Sequence, residues 1–227
     1  MKTSILTILA YFIMCSVSYA SDVYITQSGA SLTANINQDG QTNRFGVSGT
    51  VVTLTGDSQV LDIDQIGNTN TIAASLIGAI QEFTLRQAGN SNTSTVSVGS
   101  NSASGDNSII ETITGSSNTT TVNVGNSAST DDADIDLTAT GDSNTITINE
   151  NSTASLSGSD KKVTNITAIG SSNTITSTHT GAADQDTTLH HTGASSTFAI
   201  TQGGAYDGTT SITTVGSGHN VTVTMDD

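Results

Sequence analysis

Proline and tryptophan are absent from this 227-residue chain, and it has a single cysteine, Cys15. Lack of proline suits a chain of central strands, since Pro would remove a ladder donor from each. One cysteine cannot build a disulfide framework. Basic residues are nearly as scarce: five Lys and Arg against twenty Asp and Glu leave a formal charge of −15. That excludes a nucleic-acid binder, which leads with Lys and Arg. Only 11% of residues are charged and 4% aromatic. In their place stand 41 Thr, 32 Ser, 22 Gly and 18 Asn, about half the sequence. Disordered chains are usually rich in Pro, Lys and Glu, whereas here β-branched Thr, Val and Ile dominate. The composition is that of a secreted, repetitive, β-rich chain.

Met1-Lys2 precedes an apolar stretch from Ile5 to Val17, and Ser18-Tyr19-Ala20 follows. A basic start, an apolar core and small residues at the end are the features of a secretory signal peptide. The stretch is shorter than the roughly 20 residues that span a bilayer. Residues 1–20 are therefore expected to be removed, leaving one repeat domain over 21–227 with no membrane span. Losing Lys2 takes the charge from −15 to −16.

A Gly-x-x-Asn motif recurs along the chain. It ends at Asn43, Asn70, Asn92, Asn118, Asn144 and Asn173, then at the variant Ser196 and a displaced Asn220. Within one stretch Gly56, Gly67, Gly78 and Gly89 are evenly spaced, two to each repeat. A unit is thus two strands and two turns. The turn glycines are Gly29, Gly40, Gly56, Gly67, Gly78, Gly89, Gly115, Gly141, Gly170 and Gly193; glycine tolerates the positive φ of a tight reversal.

Between turns the apolar residues alternate. Leu61 and Ile63, Phe83 and Leu85, and Ile135 and Leu137 lie six and four positions before a turn glycine. Val96 and Val98, Val122 and Val124, Ile146 and Ile148, and Phe198 and Ile200 follow the motif at its even positions. A period of two is a half-buried strand. One such unit cannot bury its apolar row alone, but a stack can, with backbone bonds between units at about 4.8 Å. The expected fold is an all-β solenoid of about eight strand–turn–strand–turn coils, stacked as two facing parallel sheets. Even glycine spacing makes it preferable to a β-sandwich. Residues Glu150 to Asp160 and Asp131 to Asp134 are expected as polar loops.

Glutamine recurs two positions before turn glycines, at Gln27, Gln38, Gln65 and Gln87. Parity aims these side chains inward, where an unbonded amide costs several kcal/mol. A column of glutamines satisfies itself, each amide bonding the ones above and below. Asn43, Asn70, Asn92, Asn118, Asn144 and Asn173 are expected to form a similar ladder. Ile113, Ala139, Ala168, His191 and Thr214 take the glutamine position in later coils, so that ladder should fade.

The run Gln27-x-Gly29-x-x-Leu32-x-Ala34-x-x-x-Gln38 resembles the curlin repeat, Gln-x-Gly-x-x-Asn-x-Ala-x-x-x-Gln, with Leu32 in place of Asn. Gln38-x-Gly40-x-x-Asn43, Gln65-x-Gly67-x-x-Asn70-x-Ile72 and Gln87-x-Gly89-x-x-Asn92-x-Ser94 match its first half. The resemblance covers residues 23–98 and thins beyond to the bare Gly-x-x-Asn. It implies a subunit of curli-type amyloid fibres, which serve adhesion and biofilm matrix on the cell surface. It also implies passage through a dedicated outer-membrane pore. Outside, the partners would be further copies, head to tail, and related fibre subunits.

A second set of columns points outward: Thr93 and Thr95, Thr119 and Thr121, Thr145 and Thr147, Thr174 and Thr176. Such Thr-x-Thr ladders resemble those of ice-binding solenoids, although Thr suits any solvated strand. The acidic run Asp131, Asp132, Asp134 and Asp136 lacks the glycine-rich setting of a calcium solenoid and reads as a solvated loop. His190 and His191 are adjacent, so on a strand they face opposite ways. For His179, His190 and His219 the sequence fixes no orienting partner. No phosphate loop, metal signature or dinucleotide fingerprint occurs. Neither an enzyme nor a cofactor is expected.

Overall fold

The computed structural model describes residues 21–226, save Gln41, residues 47–50, Asn68, Ala79, Asn90, residues 100–105, Ser116, and residues 126–132, 152–160, 182–183 and 205–207. The expected signal peptide, Asp131 and Asp132 lie outside the described residues.

The chain is a β-solenoid. Its first coil has β1 (Ser21–Val23) and β2 (Thr26–Ser28) in one sheet and β3 (Ser31–Asp39) in the other. The second repeats this with β4 (Thr42–Phe45), β5 (Val52–Thr55) and β6 (Ser58–Ile66). Six coils with one unbroken strand per sheet follow. They begin with β7 (Thr69–Ile77) and β8 (Ile80–Ala88), then β9 (Ser91–Val98) and β10 (Asn107–Thr114). Next come β11 (Thr119–Val124) with β12 (Ala133–Thr140), and β13 (Thr145–Asn151) with β14 (Lys161–Ile169). The last are β15 (Thr174–Thr180) with β16 (Asp184–Ala194), and β17 (Thr197–Gly203) with β18 (Gly208–Ser217). β19 (Asn220–Asp226) pairs with β17 and ends the first sheet. The second sheet stacks eight strands, and every strand pair in both sheets is parallel.

Register makes columns. Ile36, Ile63, Leu85, Glu111, Leu137, Ile166, Leu189 and Ile212 stand one above another in the second sheet. Facing them, Val52, Ala74, Val96, Val122, Ile148, Ser177, Ile200 and Val223 do so in the first. Both sheets turn their alternate apolar residues to a single core.

The turn glycines divide between two corners. Gly40, Gly67, Gly89, Gly115, Gly141, Gly170 and Gly193 lead from the second sheet into the first; Gly29, Gly56 and Gly78 lead back. At the first corner a Cβ on Gly67 would run into the carbonyl oxygen of Gly40 one coil below, and one on Gly193 into that of Gly170. Coil therefore sits on coil there with no room for a side chain. In later coils the turn also uses a left-handed serine: Ser117, Ser143, Ser172 and Ser195 have φ of 55–61°. Repeat length varies from coil to coil. Asn70 pairs with Asn92, a step of 22, while Thr145 pairs with Thr174, a step of 29.

Three expectations are corrected. Glu150 and Asn151 belong to β13, and Glu150 is buried in the core rather than set in a loop. Asp134 and Asp136 likewise lie in β12, on its exposed side. In the last coil Gly216 pairs in phase with Gly193 and Asn220 pairs with Thr197. His219, not Asn220, therefore takes the place of the motif asparagine.

Candidate functional site

Gln38, Gln65 and Gln87 occupy one column. Gln65 Nε2 donates to Gln38 Oε1 at 2.6 Å, and Gln87 Nε2 donates to Gln65 Oε1 at 3.0 Å. All three are buried, so these bonds remove most of the cost of enclosing amides. Ile113 follows in the column and leaves Gln87 Oε1 without a partner. Gln27 stands apart: it lies in the first sheet, in the column of Leu54 and Leu76. It precedes a glycine of the other corner, which explains the shared motif and the different place.

The motif asparagines are all buried, and they bond in two ways. In early coils they cap backbone: Asn43 Nδ2 donates to the carbonyls of Gln38 and Ile66, both at 2.8 Å. Asn70 and Asn92 bond the carbonyls of Ala88 and Thr114, one coil on. From Asn118 the amides bond one another. Asn118 Nδ2 donates to Asn144 Oδ1 at 2.8 Å, and Asn144 Nδ2 to Asn173 Oδ1 at 3.0 Å. A further amide column, Gln59 and Gln81, donates to Gly29 and Gly56 carbonyls at the opposite corner. Its signal is Gly56-x-x-Gln59 and Gly78-x-x-Gln81, the same motif with the longer amide.

The two outer faces differ in charge. On the first sheet Thr71, Thr93, Thr119, Thr145, Thr174 and Thr197 form one outward column. Thr95, Thr121, Thr147 and Thr176 form the next. Between β4 and β17, Arg44 is the one charged side chain described on this face. The second sheet carries the acids outward: Asp39, Asp62, Asp64, Glu82, Asp134, Asp136, Asp184 and Asp186.

The interior of later coils holds ionisable groups. Glu111 lies between Leu85 and Leu137 and accepts from Ser94 Oγ at 3.0 Å. Burial pushes its carboxyl from 4.5 to about 8, against the lowering by Ser94. Lys162 is buried with no hydrogen bond to its Nζ. Burial lowers its ammonium below the usual lysine value, opposed by the negative charge of Glu150. Glu150 takes a 3.1 Å bond from Thr164 Oγ1 and lies 2.5 Å from His179 Nδ1. His179 Nε2 meets the hydroxyls of Ser177 and Thr187, at 2.6 and 3.0 Å. His191 packs against Phe198 in a tilted pair and against His219 edge-on, both rings 5.0 Å away. Its own imidazole is lowered by burial, which a bond to the Gly170 carbonyl opposes and the His219 charge reinforces. His190, its neighbour in sequence, is exposed. Glu150 and His179 sit six positions after Asn144 and Asn173, the inward phase of the alternation, and that phase was the signal for them.

Among the described residues, no further strand covers either end of the solenoid. One column runs Val23, Phe45, Ile72, Ser94, Thr120, Ile146, Ile175, Phe198 and Val221. Its inner members are covered, but Val221 is 45% exposed, and Val223 and Met225 beside it are 42% and 53% exposed. These inward-phase residues have no coil above them. At the other end Val23 and Ile25 are only partly buried against the core. Among the described residues no helix is long and apolar enough to cross a membrane, and no group of three His, Cys, Asp or Glu side chains could hold a metal ion. No family model, curated protein or solved structure matches the chain.

Proposed function

We propose that this chain is a structural subunit of a secreted fibre, built by adding copies of itself end to end. The observation that supports the reading is the pair of open ends. Stacking one copy on another in phase would set Val221 on Val23, like on like in their own column, while the second sheet, one strand shorter, would stop a level below the next copy's Ile36. The contact continues the parallel first sheet and covers apolar surface at about 25 cal/mol per Å². Together with the curlin-like motifs of residues 23–98, this points to a curli-like amyloid of the cell surface, active in adhesion and biofilm matrix. Secretion through an outer-membrane pore and assembly with related subunits belong to the same reading.

The acidic face opposes assembly at neutral pH, since carboxylates about 4.8 Å apart repel by about 1 kcal/mol in water. Purified chain should therefore form thioflavin-positive fibres with a meridional reflection near 4.7 Å, faster near pH 4 or in salt. Val223→Asp should block growth while leaving the monomer folded, because that side chain is already exposed. A wild-type chain that stays monomeric in all conditions, or a V223D chain that grows at the wild-type rate, would refute the proposal.

A second reading rests on the threonine columns. Six in-register Thr beside four more, on a face almost free of charge, would let a monomer order water and bind ice. Ice crystals shaped by the monomer, and lost in Thr121→Lys, would favour it.

A further inference from the structure

In the last coils a hydroxyl, an imidazole, a carboxylate and a carboxamide form one chain of contacts. Thr187 Oγ1 lies 3.0 Å from His179 Nε2, and His179 Nδ1 lies 2.5 Å from Glu150 Oε2. That is a nucleophile, a base and a group that orients the base. Against the same Thr187 hydroxyl stands Gln202, whose Nε2 donates to Thr187 Oγ1 at 3.1 Å. This nitrogen also donates to the Gln185 carbonyl at 3.1 Å, and Thr210 Oγ1 donates to Gln202 Oε1 at 2.8 Å. The carboxamide is thus gripped at both ends, its oxygen facing a donor of the kind that stabilises an oxyanion. Thr187, His179, Glu150 and Gln202 are all buried. Satisfying buried polar groups needs only hydrogen bonds. It does not need this order of groups, with a polarised amide beside the hydroxyl.

We propose that the protein uses this arrangement on itself, joining Thr187 to Gln202 through an ester. His179 takes the hydroxyl proton as Thr187 Oγ1 adds to Gln202 Cδ, and Thr210 donates to the oxygen that gains charge. The Cδ–Nε2 bond then breaks, His179 passes the proton to the departing nitrogen, and ammonia leaves. One C–O bond forms, one C–N bond breaks, no electrons are exchanged with another species, and His179 returns to its starting state. Glu150 acts through His179 and is a positioning residue; Lys162 is the other charged group beside it. Ser177 Oγ also reaches His179, but the carboxamide is bonded to Thr187, which makes Thr187 the nucleophile. Groups held in contact react as if at about 10⁵–10⁸ M, and burial keeps water from the product. A small cleft lined by Gln185, Gln202, Gly208 and Met225 gives ammonia a way out.

The test is the mass of the folded, purified chain. It should fall below the sequence mass by one ammonia. Chymotryptic cleavage after Leu189 and Phe198 should leave the fragments bearing Thr187 and Gln202 joined, and hydroxylamine should separate them. Thr187→Val should restore the full mass, and Thr187→Ser should again lose ammonia. Glu150→Gln should slow the loss in refolded chain and move the pH midpoint of its rate, which a merely structural contact would leave in place. A folded wild-type chain at full mass overturns the proposal. So does an ammonia loss that persists in T187V, since it would then arise elsewhere, for instance at an asparagine.

Discussion

Coils built from residues before Asn107 and coils built after it solve the same problem with different chemistry. In the first group the buried polar side chains among the described residues are amides, with Ser94 as the one hydroxyl. They repeat: Gln38, Gln65 and Gln87 bond the identical group one level away, and the asparagines, Gln59 and Gln81 bond backbone carbonyls at the same place in each coil. In the second group Glu111, Glu150, Lys162, His179 and His191 enter the interior. None of these stands next to a copy of itself in its column, so each needs a partner of another kind. Repetition supplies partners cheaply to amides. Ionisable groups need a particular neighbour, and their stability then depends on pH.

The largest expected effect tests that contrast directly. Glu111 keeps its proton in the folded chain up to about pH 8 but loses it near 4.5 when unfolded. Between those values the folded state binds more protons, so stability falls as pH rises and levels off above about 8. The loss should be on the order of 5 kcal/mol, read as a declining urea midpoint. Glu111→Gln should flatten that part of the profile, and an unchanged slope would show that the burial of Glu111 does not set it. Gln65→Leu comes next. It strips the bonds to Gln38 and Gln87 together and should cost about 2–3 kcal/mol by denaturant melt at any pH between 5 and 9. Gln27→Leu, outside the ladder, should cost clearly less; equal losses would dissolve the distinction between the two glutamine positions. The smallest effect belongs to the surface. Asp64→Asn breaks an exposed pair with Arg86 at 2.8 Å and should change stability by no more than about 0.5 kcal/mol.

The alternation of Leu61-x-Ile63 or Ile146-x-Ile148, with the fixed Gly-x-x-Asn, made the stacked strands legible because parity and register are local consequences of a period of two. The glutamine column was legible for the same reason. Corner identity was not. Even spacing makes Gly56 and Gly67 look alike, although one turns out of the first sheet and the other into it, and so Gln27 shares a motif with Gln38 but not a place. Glu150 was read as loop because charge and neighbouring Ser and Asn outweigh parity in a sequence. Its partners, His179 and Thr164, lie 29 and 14 residues away and meet it only once the coils are stacked. The constellation around Thr187 and Gln202 was hidden likewise, since it draws on both sheets and on several consecutive coils.

The backbone bonds between levels run along the length of the solenoid, each level holding only the next. Tension across residues 21 and 226 would load those bonds one level at a time. The chain would unwind like thread from a spool instead of snapping. Steps of 22 to 29 residues would each release roughly 75–100 Å of thread, at about 3.4 Å per residue.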